Sequence, residues 1–213
     1  MREIYTGRLR PTQLIFMGDI FDALFGGIPY TYEQNREVIE LINHMATKIE
    51  VLYLEGNHDF NLEKIFPNIK VVPIKAQPLR GEYNGKKVLL AHGDFDGERG
   101  YRVYTALIRS RALLLFLKVV DDLLNHSIIK KIDSYLGKKD DCKEFVGFEE
   151  FIAKRLENKF RCSYFIEGHF HQNRSFQVAS FEYINLGAFA CNQRYFIVKS
   201  SQDKELLQEE RFS

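Results

Sequence analysis

Four short clusters of Gly, Asp, Asn and His stand at wide intervals along this chain of 213 residues. They are Gly18-Asp19-Ile20-Phe21-Asp22, Gly56-Asn57-His58-Asp59, His92-Gly93-Asp94 and Gly168-His169-Phe170-His171. Carboxylate and amide oxygens and imidazole nitrogens bind divalent metal ions, and two such ions about 3.5–4 Å apart can activate water against a phosphoester. The residue types therefore indicate metal-assisted hydrolysis of a phosphoester or pyrophosphate.

Five side chains in these clusters are candidate metal ligands, and all but the last have a glycine neighbour: Asp19, Asn57, His92, His169 and His171. Glycine beside a ligand lets the backbone turn sharply and lets a substrate approach. Any one such aspartate or histidine most often only caps a turn or a helix. It is their combination and order that favour a shared site.

Each cluster directly follows an apolar run of the kind that forms a buried strand, at residues 13–17, 50–54, 87–91 and 163–167. Between the first two runs, Thr31 and Gln34 have the spacing of a capping box, and apolar residues follow at helical spacing. Alternating strands and helices predict an α/β fold with a mostly parallel sheet, whose ligands bind beyond the carboxyl ends of the strands. Residues 181–185 and 194–199 predict a second, antiparallel sheet or edge, and so a core of two sheet layers.

Residues 99–147 differ from the rest, because they form a Leu- and Ile-rich helical stretch with many Arg and Lys side chains. We expect a helical cap inserted into the domain. One interpretation is a set of ordinary amphipathic helices that shield the core. The other is an amphiphilic lid, whose aliphatic run at 112–120 meets acyl chains while its cations meet phosphate.

The composition excludes several classes of protein. The formal net charge is +1, so no global field favours nucleic acid, and none is expected as a partner. Cys142, Cys162 and Cys191 are widely spaced, which favours a reducing cytosol and packing or surface roles. No apolar run is long enough to cross a bilayer, although contact with a bilayer surface stays open.

The ordered set of four motifs resembles that of the calcineurin-like metallophosphoesterases. The resemblance covers the chain from about Leu14 onwards, and it implies a four-layer α/β/β/α sandwich with two divalent ions, manganese first, zinc or iron otherwise. It also implies that Asp19 bridges both ions, that Asn57, His92 and His169 complete one site, and that His171 belongs to the other.

The resemblance also implies roles beside the metals. His58 is expected to face the phosphoryl oxygens and to stabilise charge or protonate the leaving group, with Asp59 holding its imidazole in one tautomer. Asp22 and Asp94 are expected to cap loops or orient ligands rather than to bind metal.

The chain departs from that family in one respect, since no Asp-x-His motif precedes Asp19, and Glu3 is the only acid before it. His44 lies within a predicted helix and is not expected to bind metal. We therefore expect the sequence, taken as a single domain over 1–213, to lack the family's first strand. One metal should then bind well and the second weakly, which would impair catalysis.

Within the family, residues 91–112 resemble the UDP-2,3-diacylglucosamine pyrophosphate hydrolases of lipid A synthesis. This resemblance implies a cytoplasmic enzyme, in contact with the inner membrane through its cap, that releases UMP and 2,3-diacylglucosamine 1-phosphate. Arg99 and Arg102 become candidate substrate-binding residues. His58 stands where the best-known branch has Arg, so a phosphodiesterase or phosphatase acting on nucleotides or phosphoprotein, or a catalytically impaired scaffold, remain alternatives.

Overall fold

The computed structural model describes residues 1–136, 138, 140, 142–198 and 206–211. The helices are α1 Arg2–Tyr5, α2 Pro29–Gln34, α3 Arg36–Met45, α4 Arg99–Ile108, α5 Arg111–Leu123, α6 Ser127–Leu136, α7 Phe148–Leu156 and α8 Phe189–Asn192. The strands are β1 Gln13–Phe16, β2 Leu24–Phe25, β3 Glu50–Leu54, β4 Asp59–Phe60, β5 Lys70–Val72, β6 Leu79–Tyr83, β7 Lys86–Ala91, β8 Tyr164–Glu167, β9 Arg174–Val178, β10 Phe181–Asn185, β11 Arg194–Ile197 and β12 Gln208–Arg211. The predicted mixed α/β class is confirmed.

The chain divides into two compact units. The first comprises Met1–Gln77 and Asp94–Lys139, and the second comprises Pro78–Gly93 and Asp140–Ser213. The four predicted strands appear as β1, β3, β7 and β8, and each metal-motif cluster begins within two residues of the end of its strand. The predicted strand ends are therefore confirmed, and the candidate ligands lie in the loops that follow them.

The first unit is built around the parallel sheet β1-β3-β5. Its α3 helix buries Ile39, Ile42 and Met45, which lie three residues apart on one helical face, in a core that also contains Phe16 and Tyr53. Each such side chain contributes about 1.5–3 kcal/mol when fully buried. This packing fixes the sheet from which the first two metal motifs emerge.

The predicted helix after Thr31 is in fact two helices, α2 and α3, separated by Asn35. Thr31 is not the N-cap, because Pro29 begins α2 and places Thr31 inside it. The Thr31 hydroxyl instead accepts a hydrogen bond from the backbone N–H of Phe25 (3.1 Å) and donates one to the carbonyl of Ile28 (2.9 Å). The capping-box prediction was wrong, since proline supplied a stronger start signal two residues earlier.

The helical part of the predicted cap also belongs to the first unit, where it forms the three helices α4, α5 and α6. Its inner face packs through Leu114 and Ile129 in a cluster with Ile28 and Phe60. The predicted range 99–147 is helical up to Leu136, and residues 137, 139 and 141 lie outside the described part of the chain. Among the described helices, none is sufficiently long and apolar to cross a membrane.

The second unit contains a five-stranded sheet in the order β6-β7-β8-β10-β9. Strands β7, β8 and β10 are parallel, while β6 and β9 pair antiparallel at its two ends. Residues 181–185 and 194–199 were predicted to form a second, antiparallel sheet or edge; each does have an antiparallel partner, but they do not pair with each other. The first of them is β10, an interior strand parallel to β8, because β9 precedes it and covers its other side; the second contains β11, which pairs with β12.

The cysteines also differ from the prediction. Cys142 and Cys191 form a disulfide across a sequence separation of 49, with their Cα atoms 5.6 Å apart. Cys162 keeps its thiol, and burial raises its pKa to about 11. The sequence does not reveal this pair, because the two cysteines are far apart in the chain and only the fold of the second unit brings them together.

Candidate metal centre

Asp19 lies in the loop after β1, and the first unit positions it through the loop that contains Asn57 and His58. The backbone N–H of His58 donates a hydrogen bond to the Asp19 carboxylate (2.9 Å). A Cβ atom on Gly56 would lie 2.1 Å from the same carboxylate oxygen, so only glycine fits at that position. The glycine that the sequence marks beside Asn57 therefore makes room for Asp19. Asn57 and His58 are half-buried.

The buried carboxylate of Asp59 holds these two loops together through hydrogen bonds. It accepts hydrogen bonds from the backbone N–H groups of Asp19 (3.0 Å), Ile20 (2.7 Å) and Gly56 (2.9 Å), and from the hydroxyl of Tyr53 (2.6 Å). The residue is fully buried. A buried carboxylate is stabilised when several donors surround it, and in turn it fixes those donors. Asp59 thus holds the backbone on which Asp19 stands, while its predicted pairing with His58 stays a prediction.

Tyr53 should make stability sensitive to alkaline pH. Burial, and then the charge of Asp59, raise the pKa of this phenol well above its ordinary value. In the unfolded chain, Tyr53 loses its proton above about pH 10, whereas in the folded protein it keeps that proton. The wild type should therefore lose about 1.4 kcal/mol of stability per pH unit beyond that point. Tyr53→Phe should cost about 1 kcal/mol at neutral pH through the lost hydrogen bond.

Because phenylalanine has no proton to lose, the wild type and Tyr53→Phe should differ less at about pH 11 than at about pH 9. Urea unfolding of both proteins at the two pH values measures this. A difference in free energy of unfolding that is independent of pH would contradict the argument.

Arg109 links the helical insertion to the Asn57 loop inside the first unit. Its guanidinium donates to the carbonyl of Gly56 (2.9 Å), lies 3.7 Å from the carboxylate of Asp94 and stacks 5.0 Å from the ring centre of Phe60. Tyr101 also donates its hydroxyl to Asp94 (3.1 Å). Asp94 therefore holds an arginine and a tyrosine of the helical segment, while its predicted role beside the metal ligands stays a prediction.

We expect Arg109→Ala to lower the free energy of unfolding by about 3 kcal/mol, because it removes the cation facing the buried Asp94. Arg111→Ala is the matched control, since Arg111 lies two residues away and is exposed. The control should change stability by less than about 0.5 kcal/mol. Equal losses in the two variants, measured by thermal or urea unfolding, would refute a special role for Arg109.

The two candidate substrate-binding arginines, Arg99 and Arg102, are both exposed on α4. Their role stays a prediction. Asp22, in the loop of Asp19, is exposed as well. His44 is exposed on α3, where its ring packs against Tyr5 (5.2 Å between ring centres).

In the second unit, His92 follows β7 and His169 follows β8. His92 is buried, and its Nε2 lies 3.1 Å from Nδ1 of His169. The N–H of Gly168 donates to the carbonyl of His92 (2.9 Å), which ties the two loops together. Gly93 has a φ of +138°, and a Cβ there would lie 2.7 Å from that of His169, so the close approach of the loops requires glycine.

This pair of imidazoles fits a divalent metal ion. Metal–nitrogen bonds of about 2.1 Å at angles between 90° and 109° place two ligand nitrogens roughly 3.0–3.4 Å apart. The observed 3.1 Å falls in that range. His169 and the half-buried His171 both adopt the left-handed region, with φ values of 50° and 57°. Non-glycine residues rarely adopt it, and such conformations cluster at functional sites.

A model of the calcineurin-like phosphoesterase family matches residues 3–173 of this chain. The chain belongs to the calcineurin-like phosphoesterase family. As a member of this metal-dependent family, it is a phosphoester hydrolase. The family resemblance and the class of reaction predicted from the four motifs are thereby confirmed.

Individual relatives of this phosphoesterase have low sequence identity to it. A UDP-2,3-diacylglucosamine hydrolase from Pseudomonas syringae pv. tomato is 23% identical over 175 residues, which cover 79% of this chain and 70% of that protein. One of the same name from Psychromonas ingrahamii is 25% identical over 164 residues, 75% of this chain and 67% of that protein. Another from Aromatoleum aromaticum is 23% identical over 171 residues, 78% and 70% of the two chains.

Sequence reasoning missed several residues that shape the phosphoesterase loops. Tyr53 and Arg109 support the first unit's loops, and Arg155 and Glu167 support those of the second. A weak signal existed for Glu167, because it is a charged residue at the end of an apolar strand run and must find a partner if buried. Nothing in the local pattern identified the arginines.

Proposed function

We propose that this phosphoesterase hydrolyses UDP-2,3-diacylglucosamine to UMP and 2,3-diacylglucosamine 1-phosphate. Water would attack the α-phosphorus, the bond from that phosphorus to the bridging oxygen would break, and the bridging oxygen would leave with the sugar phosphate. The observation that carries the proposal is the set of four metal motifs at strand ends, followed after His92 by an insertion with an exposed apolar surface. The names of the relatives agree with this substrate.

The proposed ligands of one divalent ion are Asp19, Asn57, His92 and His169, with His171 and Asp19 serving a second, weaker site. Manganese is the proposed metal, because the set combines hard oxygens with imidazole nitrogens. A bound ion would neutralise phosphate oxygens and lower the pKa of bound water. The 3.1 Å spacing of the His92 and His169 nitrogens supports the shared ligand role of those two residues.

Other residues of the chain would act directly on the substrate. His58 would stabilise charge on the phosphoryl oxygens or donate a proton to the leaving oxygen, and Asp59 would orient its imidazole. Arg99 and Arg102 would bind the phosphates. Both arginines are exposed on one helix and so are available to a ligand.

The insertion would hold the acyl chains. Its inner face is already packed, yet its helices expose a set of large apolar side chains: Val103, Tyr104, Leu107, Leu115, Phe116, Val119 and Leu123. Exposed apolar surface of this extent favours a binding surface over a simple shield for the core. The same surface would place the enzyme at the cytoplasmic face of the inner membrane, where its lipid substrate resides.

The test is release of UMP by the purified chain, with Mn²⁺ and with a chelator. UDP-N-acetylglucosamine, which lacks the two acyl chains, and a generic aryl phosphodiester serve as comparison substrates. We expect chelator-sensitive UMP release from the diacylated substrate only. Equal turnover of the unacylated nucleotide sugar would overturn the assignment of the insertion, and turnover of the aryl ester alone would indicate another phosphodiesterase. No metal-dependent turnover of any substrate would favour an impaired scaffold.

A further inference from the structure

We propose that Arg155 is a positioning residue for metal binding, because its one guanidinium fixes both loops that carry the histidines of the second unit. The inference rests on the proposed function only in that His92 and His169 bind the metal. Arg155 extends from α7, and its side chain is 10% exposed. None of the four sequence motifs includes it.

The first contact is a buried ion pair with Glu167. Two parallel hydrogen bonds of 2.8 Å and 2.7 Å join the guanidinium to the carboxylate, whose side chain has no exposed surface. Tyr183 donates a further hydrogen bond to the same carboxylate (2.9 Å). Glu167 ends β8 and comes two residues before His169. The planar fork of arginine is thus held in one orientation beside the strand that leads to the histidine.

The second and third contacts reach the two loops themselves. The guanidinium donates to the carbonyl of Gly93 (2.9 Å), the residue directly after His92. It also stacks 5.3 Å from the ring centre of Phe170, which lies between His169 and His171. One side chain therefore restrains the residue next to each of the three histidines.

Such restraint has a purpose in these loops. The backbone of His169 and His171 lies in the left-handed region, and Gly93 has a positive φ that ordinary residues avoid. Conformations of this kind persist only where surrounding contacts determine them. The side chain of Asn185 adds to these contacts. Its N–H₂ group donates to the backbone carbonyl of Gly168 (2.6 Å), and its Oδ1 accepts a hydrogen bond from the backbone N–H of Gln172 (2.6 Å). Without Arg155, the Gly93 carbonyl and the Phe170 ring lose their common partner.

The test compares Co²⁺ binding by the wild type and by variants of the whole chain, followed through the visible absorption of bound cobalt. In Arg155→Met with Glu167→Gln, the buried charge is removed together with its partner, and Tyr183 keeps an acceptor. Circular dichroism and a cooperative thermal transition establish that the variant folds. We expect cobalt to bind about 10- to 100-fold more weakly and with an altered absorption spectrum, as when other groups that orient metal ligands are removed.

Two further variants make the result specific. Arg155→Lys keeps the charge but cannot form the fork, so it should lose less affinity than the double variant but still measurably. Lys154→Met removes a charge from the neighbouring, exposed position of α7 and should bind cobalt like the wild type. Wild-type cobalt affinity and spectrum in the folded double variant would overturn the proposal. If the double variant does not fold, unchanged affinity in Arg155→Lys would overturn it.

The proposed function fails in a different way. If the wild type itself binds no cobalt, or if His92→Ala binds it equally well, the metal site is wrong and the inference about Arg155 falls with it. If the wild type binds cobalt through His92 and only the Arg155 variants are indistinguishable from it, the metal site stands and the positioning role is wrong.

Discussion

His92→Ala should abolish tight metal binding and reduce phosphoesterase turnover more than any other single change proposed for this chain. The imidazole is buried and lies 3.1 Å from that of His169, so alanine would remove one of the two neighbouring nitrogens that are proposed to bind the metal ion. Losing an outer partner of a ligand typically costs about 10- to 100-fold, and losing the ligand itself should exceed that range. Calorimetric titration with Mn²⁺ and chelator-sensitive release of UMP from the proposed diacylated substrate measure the two effects.

His44→Ala is the matched control for this prediction. Its imidazole is exposed on α3 and stacks on Tyr5, away from the four motifs in the sequence. The control should retain both affinity and turnover. Retention of tight Mn²⁺ binding in His92→Ala would contradict the ligand assignment.

Asp59→Asn should cause a large loss of stability, comparable to that of Arg109→Ala. One oxygen of Asp59 accepts from the N–H groups of Asp19 and Gly56, and the other accepts from Ile20 and Tyr53. An asparagine must turn an N–H₂ group towards one of these pairs of donors, which leaves buried donors without an acceptor. We expect the free energy of unfolding to fall by about 3 kcal/mol, measured by urea unfolding.

The control for this change lies in the adjacent loop. Asp22→Asn alters the same chemical group at an exposed position, three residues from Asp19. It should change stability by less than about 0.5 kcal/mol. Because Asp59 fixes the backbone of Asp19, Asp59→Asn should also weaken Mn²⁺ binding even in preparations that are fully folded. Normal affinity in such a preparation would limit Asp59 to a role in stability.

Local signals were sufficient for the strands and for the loops that carry the candidate ligands. Apolar runs that stop at Gly, Asp or His mark both the burial of a strand and the point where it ends, as at β3 and the motif that starts at Gly56. Local signals failed where pairing partners were distant. The sequence pattern groups strand β10 with residues 194–199, whereas its neighbours in the sheet are β8 and β9.

The residues that support the loops could not be predicted from the sequence for a related reason. Arg155 meets Glu167 and Gly93 only because a helix packs on a sheet, and no periodicity marks a long side chain for such a contact. Asp59 was predicted to be important, but two of its hydrogen-bond donors, the backbone N–H groups of Asp19 and Ile20, lie 40 and 39 residues away in the sequence. Motifs thus identify the candidate ligands, while the hydrogen-bond network around them depends on contacts between segments that are distant in the sequence.

The disulfide between Cys142 and Cys191 closes a covalent loop in this enzyme. The covalent loop that it closes contains all of α7, β8, β9 and β10, and therefore both histidines of the Gly168 motif together with Arg155. A closed loop of this length removes about 4 kcal/mol of chain entropy from the unfolded ensemble at 25 °C. Oxidised and reduced molecules can thus share one native architecture and still differ in how readily the segment between the two cysteines unfolds, so resistance to unfolding depends on the surrounding thiol chemistry.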